Sequence, residues 1–204
     1  MIPAIERSPE RDALIRATLP HVPALGWTRA AMAAGLRDLG EPPEVADSLF
    51  PTGPTGLLEA WCDLADRDMA ETAAREGRTE GLRTPQRIRA LLALRLEQAA
   101  PHREAVRRAV ALLALPWNAR PAARTAARTA DAVWAAAGDR SDDLSWYTRR
   151  ATLLGLYASV LAFWLADASP GQARSLDFLD RQLARLGRLQ RRGGARTPPA
   201  AARS

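Results

Sequence analysis

One helix-opening device recurs along this chain and restricts it to one kind of fold. Ser8-Pro9-Glu10 combines an N-cap, a proline at the first helical position and an acid in the first turn. Thr84-Pro85 and Ser169-Pro170 repeat the cap and the proline. β-Branched residues are sparse, and no stretch alternates apolar and polar with period two. These features predict an all-α fold of about nine helices. The first runs from Pro9 to about Leu19, before Pro20 and Pro23. The second is capped by Thr28 and closed by Gly40, and a short third runs from Pro43-Glu44 to near Phe50. Longer helices follow: Pro54 to Gly77, one opened by Thr84-Pro85, one from Pro101 to before Pro116, and Arg120 to Ala137. An eighth, capped by Ser141, reaches about Ala166. A ninth starts at Ser169-Pro170 and fades near Arg192.

This spacing divides the 204 residues into a tail (1–8), a helix-turn-helix-like head (9–52), a helical body (53–192) and a Gly/Pro-rich tail (193–204) expected to be disordered. Three short helices followed by six long ones resemble the layout of TetR-type regulators. In a regulator of apolar ligands the third helix would read DNA. Here that segment is Glu41-Pro42-Pro43-Glu44-Val45-Ala46-Asp47-Ser48-Leu49-Phe50, with three acids and no base. Acids beside phosphates oppose the electrostatic attraction that supplies most non-specific affinity, so the sequence speaks against DNA binding. Cationic character lies elsewhere. Residues 1–80 carry 8 arginines against 14 carboxylates, whereas residues 81–204 carry 21 against 9. Any anion-attracting surface is expected in the second part.

Cys62 is the single cysteine and sits in an apolar helical pattern, so it reads as a core residue. His21 and His102 lack ligand-spaced partners, and no metal site is predicted. The N-terminus shows neither a signal nor a transit pattern, and no apolar run reaches the roughly 20 residues of a membrane span. The expected location is cytoplasmic, to which the resemblance described next adds peripheral attachment to the inner membrane. No catalytic residues are assigned, because the chain has no Glu-x-x-His pair, no Gly-rich phosphate loop and no nucleophile–base set. Asp142-Asp143 reads as first-turn acids behind the Ser141 cap.

Specific motifs occur in the second half. Ala130-Asp131-Ala132-Val133-Trp134 is followed by Gly138-Asp139-Arg140-Ser141-Asp142-Asp143-Leu144-Ser145-Trp146-Tyr147-Thr148-Arg149-Arg150-Ala151. With Leu49-Phe50-Pro51-Thr52-Gly53-Pro54, Leu19-Pro20-His21-Val22-Pro23 and Gly26-Trp27-Thr28, this stretch resembles the lipid-binding accessory proteins of ubiquinone biosynthesis over about residues 10–185. Thr52, Asp142 and Ser145 stand where those proteins commonly have glycine, threonine and asparagine. The resemblance implies a TetR-like, non-catalytic homodimer that holds isoprenoid quinone or phospholipid in an apolar cavity. It also implies that the chain presents demethoxyubiquinone to the membrane-associated di-iron hydroxylase of the pathway.

Three groups of residues follow. Asp143, Trp146, Tyr147 and Arg150 share helical faces pairwise, and an aromatic pair flanked by arginine is the composition of an interface hot spot. On composition alone Trp146 reads rather as a core anchor, but the resemblance makes this group the hydroxylase contact. Trp61, Leu64, Leu91, Leu94, Leu115, Trp134, Leu154, Tyr157 and Leu161 could line a lipid cavity, although a filled core would use the same residue types. In the ninth helix Leu176, Leu179, Leu183, Leu186 and Leu189 form one apolar face bordered by Arg181, Arg185 and Arg188. That pattern suits either a membrane interface or packing within the protein, and the resemblance favours the membrane. The uncharged run Ala151–Ala166 carries small residues at Gly155, Ala158, Ser159 and Ala162, which suit close approach of a second subunit.

Overall fold

The computed structural model describes residues 5–139 and 145–194, the side chains of 145–147 and 189–194 excepted. Among these residues it contains ten α-helices and no strand. They are α1 (Pro9–Thr18), α2 (Val22–Leu25), α3 (Arg29–Asp38), α4 (Val45–Leu49), α5 (Pro54–Arg75), α6 (Thr84–Ala99), α7 (Arg103–Leu113), α8 (Ala119–Ala136), α9 (Ser145–Ala166) and α10 (Ala173–Gly194). The nine expected helices are present, and α2 is additional. Pro23, expected to interrupt helix, instead occupies the first turn of α2, where its missing N–H is not needed.

The Ser8 and Thr28 caps form as expected, their hydroxyls accepting from Arg11 N at 3.2 Å and Ala31 N at 3.3 Å. Three other starts are displaced. At α6 the cap is Arg83, whose N–H donates to the Gln86 side chain at 3.1 Å, while Thr84 is already helical. At Pro101 and Pro170 the proline opens a single 3₁₀ turn, and the α-helix begins after it. The expected Ser141 cap and the tail after 194 lie outside the described residues.

Packing separates one unit that ends at Leu154 from a second that begins at Gly155. In the first, α1 and α3 pack through Leu14, Ile15, Met32 and Leu36, all buried. The Thr18 hydroxyl donates to Leu14 O at 2.7 Å and leaves a narrow gap filled by Gly35. A Cβ on Gly35 would lie 2.9 Å from both Thr18 N and Thr18 Oγ1, inside contact distance of a backbone that cannot rotate away. Gly35→Ala is therefore expected to destabilise the chain by about 1–3 kcal/mol, despite alanine's higher helix propensity. A thermal melt checks this, and an unchanged or raised midpoint would refute it.

The head is fixed to the long helices by specific contacts. Within the head itself, the Arg11 guanidinium lies 4.3 Å from the centre of the buried Phe50 ring and donates to Leu49 O. Arg67 on α5 makes paired bonds to Asp12 at 3.0 and 2.7 Å. Trp27 packs against Trp61 with ring centres 4.8 Å apart and planes tilted by 36°, and donates Nε1–H to Ala105 O at 3.0 Å. Arg108 donates to Pro23 O at 2.8 Å, so α2 is held against α7.

The second unit is a helical hairpin made of the later part of α9 and α10. Phe163 stacks flat on Phe178 at 4.6 Å. Asp167 accepts from Ser169 N, Ser175 N and the Ser175 hydroxyl at 2.8, 2.9 and 2.6 Å. Those bonds, led by the one from the Ser175 hydroxyl, hold the carboxyl well below the usual carboxylate range. Gln172 adopts a left-handed backbone (φ +61°) that non-glycine residues rarely take, and its side chain accepts a bond from Trp164 Nε1.

Candidate functional site

Helices α5, α6 and α8 enclose most of the residues named as cavity lining. Trp61 and Leu64 on α5, Leu91 and Leu94 on α6, and Trp134 on α8 are all buried, and the three helices pack pairwise. Leu115, after α7, and Leu154 are half-buried in the same unit. Tyr157 and Leu161 are half-buried in the second unit. The first five thus share one helical cluster.

That cluster also contains polar groups that the apolar pattern did not reveal. Glu59 on α5 receives Arg124 at 2.5 and 3.2 Å and Arg128 at 3.1 Å, both from α8. Burial raises the Glu59 carboxyl, but the two guanidinium groups outweigh it and hold the group below its ordinary value. Two turns along α5, Asp66 Oδ1 lies 3.2 Å from Arg95 Nε on α6, and Asp66 Oδ2 accepts the Thr129 hydroxyl of α8 at 2.8 Å. Here burial prevails and raises the Asp66 carboxyl, although Arg95 and Thr129 oppose it. Between these pairs lies Cys62, whose thiol burial pushes up to about 12. A thiol shifted this way carries little thiolate at neutral pH and is a poor nucleophile.

The second group of named residues meets α8 at the start of α9. Arg150 donates to Asp131 and is largely covered. Arg149 sits 5.9 Å from the centre of the Trp134 ring and 3.5 Å from Asp139 Oδ1. Asp131 and Asp139 are therefore members of this site that sequence reasoning quoted but did not assign. An acid three residues before Trp134 on α8, and a second just past the helix end, ahead of an Arg-Arg pair, were the available signal. Trp146 and Tyr147 lie on the backbone of α9. Their side chains and Asp143 fall outside the described residues.

In α10, Leu179 is buried while Leu176, Leu183 and Leu186 are half-buried. Arg181, Arg185 and Arg188 are exposed, and Arg181 lies 5.8 Å from the centre of the Phe178 ring. No helix among the described residues is long and apolar enough to cross a membrane, and none of their acids, histidines or thiols form a three-residue metal cluster. An open depression on α1 is lined by Arg7, Ser8, Pro9, Asp12, Ala13 and Arg16. Its charges pair with Asp63, Asp68 and Arg67. In the head, α4 is five residues long, and its Asp47 bonds Arg29 of α3, which opposes a cationic reading surface.

Residues 119–190 match the COQ9 family model, and that stretch holds α8, α9 and the Asp131–Trp134 and Trp146–Arg150 segments. Over that stretch the chain is similar to the COQ9 family. It is 31% identical over 176 residues to the protein named ubiquinone biosynthesis protein COQ9, mitochondrial, of Rattus norvegicus, covering 83% of this chain and 56% of that protein. The Drosophila melanogaster protein of the same name is 31% identical over 187 residues, covering 88% and 56%. The Homo sapiens one is 30% identical over 176 residues, covering 83% and 55%. The chain spans about half the length of these COQ9 relatives. A TetR transcriptional regulator from Nitrosomonas europaea superposes with a TM-score of 0.68 over 87% of this chain and 97% of its own, at 24% identity. The fold of this chain is accordingly all-α and TetR-like among the described residues.

Proposed function

We propose that this chain is a non-catalytic accessory factor of ubiquinone biosynthesis. It binds an isoprenoid quinone intermediate or a phospholipid between its helices and presents demethoxyubiquinone to the membrane-associated di-iron hydroxylase. The observation that carries the reading is the COQ9 family match over 119–190, which falls on the segments of α8 and α9 joined through Arg150 and Asp131. The buried Trp and Leu side chains of α5, α6 and α8 support it, since they supply the apolar surroundings an isoprenoid tail requires. Keeping such a tail out of water is favourable by about 25 cal/mol per Å².

In this reading Trp146, Tyr147 and Arg150 contact the hydroxylase, and the arginines of α10 face anionic lipid. A second copy of the chain packs along α9, where Gly155, Ala158, Ser159 and Ala162 lie exposed.

Mass spectrometry of organic extracts from the detergent-free protein tests the carrier reading. Co-purifying isoprenoid quinone or phospholipid is the expected result, and an extract free of both would overturn it. Gly155→Leu tests the pairing of subunits. It places a bulky side chain where a Cβ meets nothing within 4 Å in the single chain. Light scattering should show a dimer for the parent and a monomer for the variant. A dimeric variant would remove α9 from the interface.

A further inference from the structure

The corner between α7 and α8 presents an apolar surface that neither the carrier reading nor the α10 reading uses. From Val110 to Trp117 the chain is Val-Ala-Leu-Leu-Ala-Leu-Pro-Trp, eight apolar residues in succession. One face of α7, through Ala105, Val106 and Ala109, is buried. The opposite face of its last turns carries Val110, Ala111 and Ala114, all exposed. A helix end that is apolar on both sides is ordinarily covered on both. This one continues into Pro116 and Trp117, and the indole is 75% exposed while Val110 is 40% exposed.

This exposure belongs to a built corner. Asn118, the residue after Trp117, is buried, and its side-chain amide donates to Leu112 O at 2.8 Å while its backbone N–H donates to Leu115 O at 2.9 Å. A 3₁₀ turn over Pro116–Asn118 sets Trp117 at the apex. The charge around it has one sign. No carboxylate occurs between Glu104 and Asp131, whereas Arg107, Arg108, Arg120, Arg124 and Arg128 do. Glu104 and Glu59 pair with four of these arginines and leave the region net positive. Arg107 precedes the apolar face and Arg120 follows the indole, and both are exposed.

We propose that the α7–α8 corner is a membrane-insertion point. Trp117 sits at headgroup depth in an anionic bilayer, and Arg107 and Arg120 lie against the lipid phosphates. A convex, ordered apex suits entry into a lipid surface, since the order it needs is already present in the free protein. Indole favours the membrane–water interface because its ring is apolar and its N–H remains hydrogen-bonded there. Arginines on either side gain from the negative surface potential. The contact is separate from α10, and α10 contains no tryptophan.

The test uses the full chain with vesicles of phosphatidylglycerol and phosphatidylcholine, by co-sedimentation and by quenching of tryptophan fluorescence with brominated acyl chains. Trp117→Ala is expected to lower vesicle partitioning by about tenfold and to remove most of the bromine quenching, given the apolar area of one indole. Trp117→Tyr should restore most of the binding and Trp117→Gln none. Arg120→Glu should weaken binding to anionic vesicles and leave phosphatidylcholine vesicles unaffected. A parent chain that does not sediment with anionic vesicles overturns the proposal. So does a Trp117→Ala chain that partitions and is quenched like the parent, which would leave membrane contact to α10 or make the corner a protein interface.

Discussion

Arg95→Ala is expected to cost about 3–5 kcal/mol of stability, the largest single effect in the body of the protein, because it leaves a carboxylate buried without its counter-charge. Asp66 is almost wholly buried, and Arg95 is its only cationic partner within 4 Å among the described residues. A domain of this size has roughly 5–15 kcal/mol in total, so the variant should melt far below the parent or fail to accumulate. The sign of its pH response separates charge from packing. Burial raises the Asp66 carboxyl above the ordinary aspartate value of 3.8, so the folded form holds its proton over a window that begins there and extends upward. Stability in the variant should therefore fall as pH rises through that window and recover on acidification, opposite to the usual course of acid unfolding. Adding Asp66→Asn to Arg95→Ala should restore much of the loss, since the amide oxygen can still accept from Thr129 without carrying charge. Urea titrations of the single and double variants from pH 4 to pH 8 decide this. Equal losses at every pH would show that the lost packing of Arg95 dominates.

Trp146→Ala is expected to weaken capture of the hydroxylase by at least tenfold while leaving bound lipid and melting temperature unchanged, as for an aromatic hot spot. Asp131→Ala supplies the comparison. Asp131 is half-exposed and its partner Arg150 is mostly covered, so an ion pair there contributes on the order of 1 kcal/mol to folding. Its substitution removes the bond by which α8 helps orient Arg150. Capture should drop several-fold with no shift in melting, and Asp131→Glu should recover part of it. Immobilised hydroxylase with graded concentrations of each variant provides the measurement. If Trp146→Ala binds like the parent, the aromatic pair is not the contact. If only Asp131→Ala binds like the parent, the ion pair has no positioning role.

The helices were legible in the sequence because caps, prolines and glycines act locally. Ser8 and Thr28 accept the bonds that their spacing implied, and the misplaced starts at Thr84, Pro101 and Pro170 are each shifts of one to three residues. Pro23 was misread because a proline can equally stop one helix or occupy the first turn of the next. Trp61, Leu64, Leu91, Leu94 and Trp134 could be named from periodicity, since burial follows the apolar face of a helix. The pairs of Glu59 with Arg124, Asp66 with Arg95, and Arg150 with Asp131 could not. Each depends on which helices become neighbours and in what register, and an acid on a helix reads as solvated until a partner is placed beside it. The exposed indole of Trp117 was hidden for the opposite reason. A tryptophan at the end of an apolar run reads as core, and only the turn that Asn118 ties down carries it outward.

The hairpin of α9 and α10 is joined by contacts that are close along the chain. Trp164 to Gln172 and Asp167 to Ser175 each span eight residues. The bond that fastens the head to the body, Trp27 to Ala105, spans 78. Short-range contacts close small loops and form on the microsecond scale, whereas distant ones wait for the intervening chain to be ordered. The C-terminal hairpin therefore assembles without waiting for the rest of the protein, and the docking of Trp27 on Trp61 and Ala105 is a late event in folding. A nascent chain forms this hairpin as soon as residues 155–194 are free to fold, while the seal between head and body is the step that a destabilising substitution delays.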